Sequence, residues 1–223
     1  MVLVVTLLVA VVQCAVIGGV LFVSAGRTDL VMFWAYLVIM LVPSLSTVVV
    51  VSGRQPDQRR AQMRPGAGNW DRFSVPVAVV MALAHFVIAG LDVGRYHWSD
   101  SVPLALQYIG LFGFAVGIIV LAWAVIANRF FSSAVRVQAD RSQQVITDGP
   151  YRFVRHPAYI GEILFILFSG IALGSWLSVL PMLVLAADVI RRTRIEDKML
   201  QGDLKGYAEY AQTVRYRLIP GLW

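Results

Sequence analysis

The sequence predicts an all-α, polytopic transmembrane bundle with about six membrane-crossing segments, a C-terminal helical hairpin among them, and a further C-terminal helix outside the membrane. Three observations carry this. Of 223 residues, 58% are hydrophobic and only 14% charged, well outside the usage of soluble domains. Several apolar stretches reach the roughly 20 residues that a helix needs to cross a hydrocarbon core about 30 Å thick. The cations, finally, collect in alternate loops, as the orientation rule for short loops requires.

Residues 2–24 and 30–53 carry no charged side chain and read as the first two spans. Residues 75–91, with His85 alone, and the uncharged 102–127 supply the next two. The N-terminal stretch lacks both a basic n-region and a small-residue cleavage site, so it reads as a mature helix rather than a signal peptide. Residues 158–190 are apolar but interrupted by Gly170, Gly174, Ser175 and then Pro181, which predicts a hairpin. Each arm has about 16 residues, short for a full span, so the arms are expected to tilt or to extend past the hydrocarbon. The chain divides into an N-terminal four-helix region, 1–127, and a C-terminal region, 128–223, that carries the chemistry. Cys14, the single cysteine, sits in the first span as a small packing residue, and no internal disulfide can form.

Residues 53–72 hold five Arg against two Asp, residues 128–157 five Arg against two Asp, and residues 191–223 seven cations against four acids. The opposite loops hold only Arg27 and Arg95 against Asp29, Asp92 and Asp100. Seventeen of 19 cations thus share one face, which is expected to be cytosolic together with both termini. The net charge of +6 is explained by this orientation and by anionic headgroups of the bilayer. No nucleic-acid motif accompanies it, so nucleic acid is not an expected partner.

Three clusters lie on that face. The first runs Thr147-Asp148-Gly149-Pro150-Tyr151-Arg152-Phe153-Val154-Arg155-His156-Pro157-Ala158-Tyr159, with a Gly-Pro turn and with Pro157 suited to the first turn of a helix. His156 then stands beside a helix N-terminus, where free N–H groups favour an anionic or negatively polarised group. The second is Arg191-Arg192-Thr193-Arg194-Ile195-Glu196-Asp197-Lys198; on a helix continuing from Asp188 through Leu204, Arg192 and Glu196 share a face. The third joins Gly206-Tyr207-Ala208-Glu209-Tyr210 to Val214-Arg215-Tyr216-Arg217-Leu218-Ile219-Pro220, where Tyr and Arg suit either an interfacial anchor or a site. Together they suit a ligand with charges and an aromatic ring. His85, His97 and His156 are scattered and lack metal-site spacing, so no metal is expected, and no P-loop or G-x-G-x-x-G pattern is present.

These residues resemble the isoprenylcysteine carboxyl methyltransferases and their bacterial relatives, which are similar to the phospholipid N-methyltransferases. The resemblance rests on G-P-Y-R-F-V-R-H-P-A-Y-I-G (149–161), on R-x-x-x-E-D (192–197), and on G-Y-x-x-Y with V-R-Y-R-L-I-P-G-L-W at the end. Upstream, L-D-V-G-R-Y-H-W-S (91–99) and N-R-F-F-S-S-A-V-R-V-Q (128–138) look like the bacterial branch. It covers residues 91–223 best. The resemblance implies binding of S-adenosyl-L-methionine on the cytosolic side, in a bacterial inner membrane, without a Rossmann domain. It places Tyr151, His156, Pro157 and Tyr159 around the cofactor, with the stretch Gln143, Gln144, Val145 and Ile146. Glu196 would pair with a polar part of the cofactor, and Arg192 would face the carboxylate of a prenylated or otherwise lipophilic substrate. Two positions depart from the family pattern: Asp197 replaces a second Glu, and Gln143 stands where relatives often have His.

Methyl transfer from a sulfonium is an in-line displacement, so alignment and exclusion of water are the main tasks. A carboxylate nucleophile needs only a cation to orient it, and the Arg192 fork suits that geometry. An amine must first lose a proton, which directs attention to Glu196 or Tyr159. The lipid part of a substrate would arrive sideways between helices. Two other functions fit less of the sequence: an NADPH-dependent membrane reductase related to the sterol reductases, and a non-catalytic transport or scaffold protein. Asn128 and Phe131 read as shaping the end of the fourth span, Asp92 with Arg95 as fixing the opposite loop, His85 as a bundle hydrogen bond, and Trp70, Trp98 and Trp223 as interfacial anchors. Glu162 and Asp188, acids inside the hairpin, take no role from the sequence.

Overall fold

The computed structural model describes residues 2–52, 70–132, 137–138 and 141–223, with the backbone alone for 2, 3, 5, 6, 42–52 and 70–73. The basic stretch 53–69 and the side chains of Trp70 and Arg72 lie outside the described residues. The elements are α1 (Val2–Ala25), α2 (Val31–Ser52), α3 (Trp70–Leu91) with a π-helical continuation (Asp92–Tyr96), α4 (Leu104–Ala127), a 3₁₀ turn (Gly149–Arg152), α5 (Pro157–Ala172), α6 (Val179–Asp203) and α7 (Tyr207–Thr213). Helices account for all the regular structure among the described residues, as the composition predicts. Leu7–Ala25, Ser74–Tyr96 and Leu104–Ala127 are long and apolar enough to cross a membrane, and Val31–Leu41 and Pro157–Ala172 are shorter apolar helices. The protein is an integral-membrane helical bundle.

The expected hairpin is α5 and α6, joined by residues 173–178 through Gly174, whose φ of +80° only glycine adopts without strain. α5 has 16 residues, about 24 Å. α6 has 25 and runs well past the apolar part, so Arg192 and Glu196 do share one continuous helix. α4 and α5 make the tightest contact. A Cβ on Gly117 would stand 2.4 Å from the Phe165 backbone N, and one on Gly161 would stand 2.4 Å from the Leu121 N. Small residues in facing positions thus let two backbones touch where lipid offers no hydrophobic drive for association.

Buried polar groups fix the bundle at two levels. Next to the hairpin connection, His85 of α3 meets the Ser178 carbonyl through Nδ1 (2.9 Å) and the Ser169 hydroxyl through Nε2 (2.7 Å), and Ser169 meets Tyr36 of α2 (2.8 Å). The bundle role expected of His85 is what the structure shows. At one end, the fully buried Asp92 accepts hydrogen bonds from the Ser99 amide (2.7 Å), the Ser99 hydroxyl (2.5 Å) and the Ser175 hydroxyl (2.5 Å). Arg95 donates instead to the carbonyls of Ser24 (2.7 Å) and Val23 (3.1 Å). Asp92 and Arg95 both fix the loop, therefore, but by separate partners. These contacts gather residues 23–24, 92–99 and 175 at one end of the bundle and leave residues 128–159 and 191–223 for the other, the segregation that the charge count predicts.

Asp92→Ala removes a buried acceptor that three donors share, and an unsatisfied buried donor costs about 1–3 kcal/mol. Thermal unfolding of the detergent-solubilised protein is expected to show a lower midpoint for Asp92→Ala than for Asp92→Asn, which keeps one accepting oxygen.

Candidate active site

The polar end of the bundle holds a cavity of about 590 Å³. Its walls come from separated parts of the chain. Val9, Ala10 and Gln13 of α1 and Ile118, Leu121, Ala122 and Val125 of α4 form an apolar side. Ala158, Tyr159, Glu162 and Phe165 present one face of α5, and Arg192, Glu196 and Leu200 one face of α6. Residues 143–146, Tyr151, His156, Tyr207 and Tyr210 close the polar side.

In the 3₁₀ turn Gly149 takes φ +59° and Pro150 follows within the first turn, where its missing N–H is no loss. It buries Tyr151, whose backbone oxygen accepts the Tyr210 hydroxyl (2.6 Å) and whose own hydroxyl accepts from Asn128 (3.3 Å). Burial pushes the Tyr151 phenol up to about 12, outweighing the hydrogen bond from Asn128. Tyr151 is thus a neutral wall at physiological pH. Asn128 has a second task, accepting the Phe130 amide at the end of α4 (2.8 Å). The Gln143 side chain accepts the Gln138 amide (2.7 Å), and both residues line the cavity. Arg129 holds the Gln144 side chain (3.1 Å).

Asp197 ties the site together. It is fully buried on α6, about 100° around the helix from Glu196. Arg155 reaches it through Nε (2.7 Å) and Nη2 (3.1 Å), Arg217 through Nε (2.7 Å), Gln201 through Nε2 (2.7 Å), and the Tyr207 hydroxyl at 3.2 Å. His156 Nε2 lies 3.2 Å away. Arg155 also donates to the carbonyls of Val214 (2.8 Å) and Arg215 (2.7 Å), while the amides of Arg155 and His156 donate to Tyr216 and Arg217. Burial alone would raise the Asp197 carboxyl, but the hydrogen bonds from His156, Arg155 and Arg217 prevail and hold it far below the usual carboxylate range. Burial, followed by the Asp197 charge, moves the Tyr207 phenol upward.

Nine of the ten site residues expected from sequence line the cavity: Gln143, Gln144, Val145, Ile146, Tyr151, His156, Tyr159, Arg192 and Glu196. Pro157 does not; it is buried and starts α5, with His156 as the N-cap residue. The anion beside His156 is the chain's own Asp197. Tyr159 donates its hydroxyl to Glu196 across the hairpin, and its ring stacks on His156 at 5.7 Å. Sequence reasoning left out Arg155, Asp197 as a network centre, Glu162 as a lining residue and the α1 wall. Tyr207 and Tyr210, read equally as anchors, are buried walls. Trp223, expected as an anchor, instead lies beneath the Arg194 and Arg217 guanidinium groups (5.2 and 5.3 Å), and its carbonyl accepts the amides of residues 217–219. Trp98 is exposed and stacked on Tyr96 at the opposite end, as an anchor would be. Among the described residues, no three His, Cys, Asp or Glu side chains are gathered as a metal site.

Comparison with known proteins places this arrangement. Residues 106–205, from α4 to the end of α6, match the phospholipid methyltransferase family. A probable protein-S-isoprenylcysteine O-methyltransferase of Oryza sativa subsp. indica is 31% identical over 112 residues, 49% of this chain and 59% of its own. The cobalt-zinc-cadmium resistance protein CzcN of Cupriavidus metallidurans is 28% identical over 139 residues, 61% of this chain and 60% of its own. The nickel-cobalt-cadmium resistance protein NccN of Alcaligenes xylosoxydans xylosoxydans is 23% identical over 139 residues, with 61% of each chain covered. The chain spans about three-fifths of the length of these relatives. The matched part of the chain is thus similar to the phospholipid methyltransferases and to a probable isoprenylcysteine O-methyltransferase, the resemblance that its motifs carry.

The folded-state pKa of Asp197 lies below the unfolded value of about 3.9, so its stabilisation is fully present above that value and is lost only as pH falls through the lower, folded-state value. Limited proteolysis is expected to leave residues 204–223 protected from pH 7 down to about pH 4. Asp197→Ala strands two guanidinium groups, a change that costs roughly 3–5 kcal/mol for buried pairs, and is expected to expose the same segment across that whole range.

Proposed function

We propose that the protein is an integral-membrane methyltransferase that uses S-adenosyl-L-methionine to methylate a lipophilic acceptor, with its active site on the cytosolic face of a bacterial inner membrane. The observation that carries this reading is the make-up of this cavity. One side holds carboxylate, guanidinium and aromatic groups, and the other is apolar and belongs to membrane-spanning helices. Its volume falls within the roughly 300–1,000 Å³ of small-molecule sites. The residues fit the cofactor. Tyr151, Tyr159, Tyr207 and His156 offer ring faces, residues 143–146 offer backbone groups, and Glu196 offers a carboxylate to a cationic or hydroxyl-bearing part. Bound there, S-adenosylmethionine would supply an electrophilic methyl group on a sulfonium.

The chain's own contribution is alignment and exclusion of water. Tyr159 fixes the Glu196 carboxylate by its hydrogen bond, and α7 with the C-terminal segment covers the polar side. Arg192, one turn from Glu196, orients the acceptor head while α1 and α4 take its apolar part. A carboxylate head facing Arg192 would yield a methyl ester, the outcome implied by the resemblance to the isoprenylcysteine enzymes. Glu162, a second carboxylate in the cavity, favours the other reading, N-methylation of a lipid amine.

Isothermal titration with S-adenosylhomocysteine is expected to show saturable binding by wild type and at least about tenfold weaker binding by Glu196→Ala and His156→Ala. Absence of binding by folded wild type, or unchanged affinity in both variants, would sink the proposal. A screen with labelled methyl donor against prenylcysteine analogues and extracted lipids then separates the acceptors: ester products are base-labile, N-methyl products are not.

A further inference from the structure

α1 packs by one stripe. Ala10 and Leu21 are buried, Cys14 and Ile17 partly so, and each lies three or four residues from the next. Cys14 donates to the Leu37 carbonyl of α2 (3.6 Å), and the Leu21 carbonyl closes on Gly90 of α3. Val9 and Gln13, four residues apart, stand on the flank of that stripe and line the cavity, as do Ile118, Leu121, Ala122 and Val125 of α4. Gln13 is thus the one polar side chain on the wall that α1 and α4 form among the described residues.

Two distances from the opposite end of the bundle give its depth. Ala25 packs on Gly94, and Gln13 lies 12 residues before it, about 18 Å along α1. Asp92, in the same π-helical turn as Gly94, holds Ser175, and Glu162 lies 13 residues before that, about 20 Å at helical rise. Gln13 therefore stands midway along α1, near the level of Glu162. The charged groups of that level, Glu162 and Arg192, lie on the hairpin in each other's field. The carboxamide of Gln13 is exposed and has no hydrogen-bond partner among the described residues.

A polar group at this depth that meets only hydrocarbon is costly, and polar side chains inside membrane bundles ordinarily pair with a neighbouring helix. Gln13 has no such neighbour, because the cavity lies beside it. A partner must come from what fills the cavity. The carboxamide has both N–H donors and an accepting oxygen. A hydrocarbon chain leaves both unpaired, and a carbonyl on the ligand would use the donor alone. A hydroxyl group accepts from the one and donates to the other.

We propose that Gln13 reads the chain of the acceptor by paired hydrogen bonds to a hydroxyl carried close to its head, and so selects a hydroxylated amphiphile over one with a plain hydrocarbon chain. The inference rests on the methyltransferase reading above for the acceptor role and is independent of the charge of the head. Gln13 is a specificity-determining residue on the apolar wall, set apart from the groups that face the methyl donor.

The test uses the full chain in lipid nanodiscs and two probes that differ by one hydroxyl, dodecane-1,2-diol and dodecan-1-ol. Each is titrated with and without S-adenosylhomocysteine and read as stabilisation against thermal unfolding. Each probe is compared between wild type and Gln13→Leu in the same lipid, which cancels its partitioning into the bilayer. A site built around a hydroxyl rejects the analogue that lacks it, so Gln13→Leu is expected to bind the diol at least about tenfold more weakly than wild type. Its affinity for dodecan-1-ol should stay equal or rise. Without probe, Gln13→Leu is expected to unfold no lower than wild type, since it loses an unpaired polar group and no contact. An unchanged diol affinity, an equal loss for both probes, or no saturable diol binding by wild type overturns the proposal. A lower unfolding midpoint for probe-free Gln13→Leu also overturns it, by showing that Gln13 holds the fold. If wild type fails to bind S-adenosylhomocysteine, the methyltransferase reading fails, and the titrations without it judge Gln13 alone.

Discussion

Asp197 is a buried carboxylate that receives hydrogen bonds from four parts of the chain: the stretch before α5, α6 itself, α7 and the C-terminal segment. Removing such a charge from water costs several kcal/mol, and the cost is offset only when its oxygens are fully paired. Arg155, Arg217, Gln201, Tyr207 and His156 supply that pairing together, so the segments they belong to dock as a unit. The cavity inherits its polar wall from this docking. Tyr207 and Tyr210 are held there by Asp197 and the Tyr151 carbonyl, while residues 214–217 are held against Arg155 and His156.

The same helix divides two neighbouring acids between two tasks. Residues 196 and 197 are about 100° apart around α6, since a helix has 3.6 residues per turn. Glu196 consequently faces the cavity and Tyr159, while Asp197 faces the closing segment. An Asp in place of the second Glu is shorter by one methylene, which suits a position packed among two guanidinium groups with no room to turn.

Features governed by local periodicity were legible in the sequence. The spans, the hairpin turn at Gly174, Pro157 at the start of α5 and the shared face of Arg192 and Glu196 all follow from spacing and turn chemistry. Features made by distant pairing were not. Arg155 meets Asp197 across 42 positions and Val214 across 59, and no periodic signal links them. The α1 wall was hidden for the opposite reason. Val9, Ala10 and Gln13 sit in a stretch so uniformly apolar that no face stands out. Tyr207 and Tyr210 carried the composition of interfacial anchors, and only the fold of the tail distinguishes a buried tyrosine from an anchoring one. The basic stretch 53–69, explained by membrane orientation in the sequence, lies outside the described residues.

The depth of the site follows from the register of α4 and α5. α4 has 24 residues, about 36 Å, and α5 has 16, about 24 Å; Ala172 at the end of α5 meets Gly110, six residues into α4, so most of the difference in length lies at the end away from the cavity. Gly161 lies against Leu121, and Ala158 clusters with Ala124 and Tyr151, so α5 begins below the inner end of α4. The space left above its start is filled by the 3₁₀ turn, with Gly149 packed against Ala127. His156, Tyr159 and Glu162 are thereby recessed below the end of a full-length span. Tyr159 and Glu162, two and five residues into α5, stand at a depth that an amphiphile's head can reach without its chain leaving the membrane.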